Sequence, residues 1–140
     1  MGEAKKVVDR LWEMVEGGNT AAMVEVVDAD CDVRMPGISF KGVPPLQQML
    51  ATYLVAFPNL RHDVKSCVEA GDTIALELEV SGTHSGPWQV PQGTIPATGK
   101  KLVWESCDYV RVRNGKIVSW HVYHDTLPFM TALGLIPPAS

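Results

Sequence analysis

Apolar residues first recur at helical spacing and then, past the middle of the chain, at every second position. Val7, Val8, Leu11, Trp12 and Val15 mark one face of an opening helix that Gly17-Gly18 should end. Asn19 or Thr20 then caps a second helix carrying Ala22, Met23 and Val26. A short strand around Cys31 to Met35 and a turn at Pro36-Gly37 follow. Pro44-Pro45 can open a third helix containing Leu46, Met49, Leu50, Tyr53 and Leu54, with Pro58 ending it. The period becomes two in Leu60-Arg61-His62-Asp63-Val64 and again from Ile74 to Val80. Residues 85–99 are rich in Gly and Pro and show no period, so they read as a long loop. Two last strands flank Asn114-Gly115, and a short amphipathic segment follows Asp125. Helices first and antiparallel strands afterwards predict an α+β domain, a curved sheet packed against three N-terminal helices with a short C-terminal one.

Composition narrows the class. At 140 residues and 46% apolar content the chain suits one core, so residues 1–140 read as a single domain. The net charge of −4 and scattered Lys and Arg offer no basic patch, which argues against nucleic acid or an acidic membrane as partner. No apolar run reaches the length of a membrane span, and the first residues lead into an amphipathic pattern, so a cytoplasmic protein is expected. Cys31, Cys67 and Cys107 lack metal-type spacing and read as reduced thiols.

Asn-Gly between two period-2 segments signals a two-residue hairpin turn, which sets a register. Arg113 then faces Lys116. Stepping outward pairs Val112 with Ile117, Val110 with Ser119, Asp108 with His121, Ser106 with Tyr123 and Trp104 with Asp125, all on one face. This face starts apolar and turns polar, as where a core opens into a ligand cavity. Directly opposed residues lie about 5 Å apart between Cβ atoms, so Asp108 would bond His121 and Trp104 would lie against Asp125. His121 and Asp125 would be separated by roughly 13 Å, too far for a direct dyad. His62 and His84 fall on the apolar faces of their own strands. His121 and His124 are on opposite faces, which disfavours chelation, and no metal is expected.

Plainer readings accompany these. A histidine on an apolar strand face is commonly structural, Asp125 before Thr-Leu-Pro suits a helix N-cap, and Asp108 with His121 would serve as a buried ion pair. The opposite face would carry Tyr109, Val118, Trp120 and Val122, an apolar patch suited to homodimerisation.

Five segments carry a resemblance in order along nearly the whole chain: Ala56-Phe57-Pro58-Asn59-Leu60, Gly71-Asp72-Thr73, Gly82-Thr83-His84-Ser85-Gly86, Ile95-Pro96-Ala97-Thr98-Gly99-Lys100, and Gly115-Lys116-Ile117-Val118 leading to Asp125, Phe129-Met130 and Leu133-Gly134. Together they resemble the SnoaL-like polyketide cyclases. The resemblance implies the conical α+β fold shared with ketosteroid isomerase, scytalone dehydratase and limonene epoxide hydrolase. It also implies dimerisation, and that Asp125 is the general acid/base of an intramolecular aldol closure. One departure is Trp120-His121, where many relatives have His-Trp. Another is Leu78 and Val80, where the epoxide hydrolases need Arg and Asp, which disfavours epoxide hydrolysis.

The expectation is a cofactor-independent cyclase or isomerase acting on a hydrophobic carbonyl compound. Asp125, desolvated beside Trp104, would remove a proton α to a carbonyl, and His121, oriented by Asp108, or Tyr123 would bond the developing oxyanion. Ser106, His62, His84, Met35, Tyr53 and Trp88 are expected to contact the substrate. The alternatives are a dehydratase or hydratase using His62 or His84 as the acid, and a non-catalytic binder of a hydrophobic metabolite.

Overall fold

The computed structural model describes residues 2–91 and 93–136. Helix α1 (Glu3–Glu16) buries Ala4, Val7, Val8, Leu11, Trp12 and Val15, the stripe its spacing predicts. Gly18, with φ 74°, lets the chain leave the helix. The second helical segment is one 3-10 helix, Thr20–Glu25, which buries only Met23. Helix α2 (Val43–Ala56) starts on its paired prolines, where missing amide donors cost nothing, and buries Val43, Leu46, Leu50 and Ala56.

The strands are β1 (Val27–Met35), β2 (Ile38–Lys41), β3 (Arg61–Ala70), β4 (Thr73–Thr83), β5 (Trp88–Val90), β6 (Gly93–Ile95), β7 (Lys101–Arg113) and β8 (Lys116–His124). Six of them form one sheet in the order β2-β1-β8-β7-β4-β3. It is not wholly antiparallel as expected, because β1 runs parallel to β8. Helices α1 and α2 cover the inner face of this curved sheet, and helix α3 (Thr126–Ala132) closes one end. Along β4, Ile74, Leu76, Leu78 and Val80 are buried on one face, the two-residue period that marks a strand half covered by a core. The predicted loop at 85–99 contains the hairpin β5–β6, a separate two-stranded sheet whose strands are too short to show a period; Gln92 at its tip lies outside the described residues. Among the described residues, no helix is long and apolar enough to cross a membrane.

The β7–β8 hairpin turns at Asn114 (φ 54°) and Gly115 (φ 74°), as its dipeptide demands, and pairs Arg113 with Lys116 and Val112 with Ile117. Beyond that the expected register fails. A bulge at Val118 makes Arg111 the partner of Ser119, and every later pair shifts by one: Val110 with Trp120, Tyr109 with His121, Asp108 with Val122, Cys107 with Tyr123 and Ser106 with His124. An extra residue in a strand reverses the facing of all that follow. The physical reason is burial. Ile117 and Trp120 stand three apart, so no unbroken alternation can turn both inward, yet both are almost fully buried. The bulge reconciles them, and Ile117 N–H is held by the Val26 carbonyl at 2.7 Å, fixing the strand just before it.

Candidate active site

The bulge decides which side chains meet inside the cone. A chamber of about 60 Å³ lies between sheet and helices, with Asp108, Ser106 and Trp104 on β7 and Trp120, Val122 and His124 on β8 among its lining. Trp12 of α1, Tyr53 and Leu50 of α2, Met35 of β1 and His62 of β3 close its other sides. Next to it lies a vestibule of about 550 Å³ between the β1–β2 turn, hairpin β5–β6 and α3. Tyr53 and His124 border both spaces.

Asp108 is the buried carboxylate of the chamber, 2% exposed. Ser106 Oγ donates to its Oδ1 at 2.7 Å and Trp120 Nε1 to its Oδ2 at 2.9 Å. Burial pushes its pKa up to about 6, with the two donors pulling the other way by stabilising the charged form. Each carboxylate oxygen has more than one lone pair, so these bonds orient the group and leave it able to accept a proton.

His124 stands beside Ser106 on the neighbouring strand. Diagonal neighbours of this kind place its Cβ roughly 7–8 Å from that of Asp108. Burial lowers its pKa, against the raising influence of Asp125, and its Nδ1 is buried without a hydrogen-bond partner among the described residues. His62 stacks flat on Trp12, with ring centroids 4.1 Å apart. Its pKa falls to about 4 through burial, so the 3.6 Å approach of its Nδ1 to Glu16 Oε1 is not an ion pair at neutral pH. Trp12 in turn meets Trp120 edge-on at 5.3 Å, which links the chamber floor to the indole that holds Asp108.

Several expected site residues lie elsewhere. His121 and Tyr123 point to the outer face of the sheet, because the bulge reverses them. His121 Nε2 lies 3.1 Å from Asp32 Oδ2 and 3.2 Å from Ser119 Oγ, so the expected bond to Asp108 is absent, and Tyr123 is 61% exposed. Asp125 lies past the end of β8, exposed, where its Oδ1 accepts from Leu127 N–H at 3.2 Å as the N-cap of α3. Trp104, expected beside it, packs on Phe129 at 4.8 Å and Phe57 at 5.7 Å. His84 is fully buried beside Phe57 but borders neither chamber nor vestibule, and its Nδ1 lies 3.0 Å from Thr98 Oγ1. Trp88 lines the vestibule, while Met35, Tyr53, His62, Trp104, Ser106 and Asp108 line the chamber. The expected dimer patch also changes: Trp120 and Val122 turn inward, and the outer face shows Val68, Val103, Tyr109 and Tyr123.

Sequence reasoning missed His124, Trp120 and Trp12 as site residues. The signal for the first two was the clash of parity between Ile117 and the series Trp120, Val122, His124.

The family model for SnoaL-like polyketide cyclase matches residues 5–133. The chain belongs to the SnoaL-like polyketide cyclase family. Solved structures agree on its fold. AclR from Streptomyces galilaeus superposes with a TM-score of 0.82 at 21% identity, covering 99% of this chain and 85% of that one. TsrD from Streptomyces laurentii gives 0.81 at 16% identity, with 96% of each covered. A SnoaL-like polyketide cyclase from Agrobacterium tumefaciens gives 0.77 at 16% identity, covering 96% of this chain and all of its own. At such identities the likeness speaks for the fold, a curved sheet closed into a cone by helices, and this family member's chemistry must be argued from its own chamber. No curated protein matches the chain.

Proposed function

We propose that this protein is a cofactor-independent cyclase or isomerase of a hydrophobic carbonyl compound, with Asp108 rather than Asp125 as its base. The observation that carries the reading is the Asp108 carboxyl, buried in an apolar chamber, held at both oxygens, and raised to about 6 by desolvation. A base is most effective with its pKa near the working pH, because it is then both ionised and basic enough to remove a proton. Asp125, in water and engaged in capping, has no comparable environment.

Asp108 takes the proton α to a substrate carbonyl, and the C–H electron pair becomes the enolate. Burial favours the neutral form of His124, which stands one side-chain diagonal away, so that a C–C=O fragment would bridge the two residues. Its imidazole N–H would bond the enolate oxygen, the place where charge develops. The enolate carbon then attacks a second carbonyl of the same molecule, whose alkoxide recovers the proton from Asp108; in an isomerisation the proton returns to another carbon. Dehydration is less well served, since it needs an acid beside the leaving hydroxyl. His62 is unprotonated at pH 7, and His84 is outside the cavity.

Enolisation can be followed without the natural substrate, as exchange of the acetyl protons of 2-acetylnaphthalene in D₂O by NMR. Asp108→Asn should slow the protein-dependent rate by about 10²-fold or more. Full exchange by that variant, or loss of exchange in Asp125→Asn alone, would overturn Asp108 as the base.

A further inference from the structure

We propose that the substrate is held in two sections: a short, unbranched acyl end in the inner chamber and a ring system in the vestibule, joined through the gap between Tyr53 and His124. This rests on Asp108 as the base and specifies what reaches it.

The two spaces differ in both size and chemistry. The chamber, about 60 Å³, is roughly a ninth the size of the vestibule. An acetyl or propionyl group suits the smaller space, and a fused ring system or tert-butyl ketone the larger. The vestibule, about 550 Å³, has the capacity of an ordinary ligand site. Its walls are mostly apolar: Ile38, Val90, Ile95, Phe129 and Met130. Asp108 and His62 occur only in the chamber, whereas His124 belongs to both. Acid/base chemistry and substrate bulk are therefore separated in space. The floor is stiff, because Trp12 is held between the flat stack on His62 and the edge contact with Trp120. A longer or branched end would have to displace close-packed aromatic rings. For a ring closure, the enolate carbon formed in the chamber must meet an electrophile that enters from the vestibule, which places the new bond at the Tyr53–His124 gap.

The test compares 2-acetylnaphthalene with the tert-butyl ketone of the same naphthalene, measuring binding by quenching of tryptophan emission. Trp12, Trp104 and Trp120 line the chamber, and Trp88 lines the vestibule. The acetyl compound should bind at least tenfold more tightly, within the roughly 10- to 200-fold that small size differences produce in a fitted pocket. Met35→Ala and Leu50→Ala each remove part of the chamber wall by an independent route. Either should bring the two ketones to within about threefold. Equal affinities in the unaltered protein, no binding of the acetyl compound, or a size preference that survives both enlargements would overturn the division. Asp108→Asn should keep the size preference. A preference without any α-proton exchange would therefore refute the catalytic reading alone, and exchange without a preference would refute the two-section site alone.

Discussion

The indole Nε1 of Trp120 donates to Asp108 Oδ2 across 2.9 Å, joining two adjacent strands inside the cone. The bond exists because Val118 is bulged out, bringing Trp120 opposite Val110 and over the chamber. Trp120→Phe keeps the ring and removes the donor. Since that donor stabilises the charged carboxylate, its loss should raise the Asp108 pKa further and move the acid limb of the exchange-rate profile to higher pH. A hydrogen bond to a charged group is worth about 1.5–3 kcal/mol, so urea denaturation at pH 8 should show a loss of that order. An unmoved pH profile would remove Trp120 from this role.

Asp108 and His62 should tilt stability in opposite directions with pH. The folded pKa of Asp108, about 6, lies above the ordinary carboxyl value of 3.8, so the folded state binds its proton more tightly. That contribution is present below pH 4 and is lost as pH rises through 6. The folded pKa of His62, about 4, lies below the ordinary 6.5, so its contribution is present above pH 6.5 and is lost as pH falls toward 4. Each is worth on the order of 3 kcal/mol, and between pH 4 and 6 they oppose one another. Urea titrations should therefore show Asp108→Asn stabilising the protein more at pH 8 than at pH 4. His62→Phe, which keeps a ring on Trp12, should leave stability falling with rising pH across that window. Parallel pH curves for both variants and the unaltered protein would contradict these shifts.

His124→Phe preserves an aromatic ring against Phe129 and removes the proposed oxyanion donor. Loss of one such donor costs about 10²- to 10³-fold in comparable sites. The 2-acetylnaphthalene exchange rate should fall by that order while the pH midpoint due to Asp108 stays in place. A fall of less than threefold would exclude His124 from the reaction.

Asp125→Ala should cost about 1 kcal/mol by removing the N-cap of α3, and Asp125→Ser should restore most of it. Both variants should still support α-proton exchange. Thermal unfolding and exchange measured on the same samples separate a cap from a base.

Much of this arrangement was legible in residue order. The α1 stripe, the proline start of α2 and the Asn-Gly turn appear in the structure where the pattern put them, and among the candidate site residues Met35, Tyr53, His62, Trp104, Ser106 and Asp108 line the chamber. The placements of His121, Tyr123 and Asp125 failed together, since all three depended on carrying one hairpin register past Val118. Asp108 was correctly turned inward but given the wrong partner for the same reason. Hairpin β5–β6 was invisible because three-residue strands are shorter than the repeat needed to recognise them.

Local chemistry was enough to determine where the chain turns and which segments become helix or strand: these follow from φ preferences and apolar spacing within a few residues of one another. Which face of β8 looks inward was decided only when the sheet packed. Ile117 and Trp120 compete for the core with opposite parity, and the burial of both outweighs the local disruption of a bulge. That compromise brings Trp120 to Asp108, His124 to the gap above it, and leaves Asp125 in water as the cap of α3.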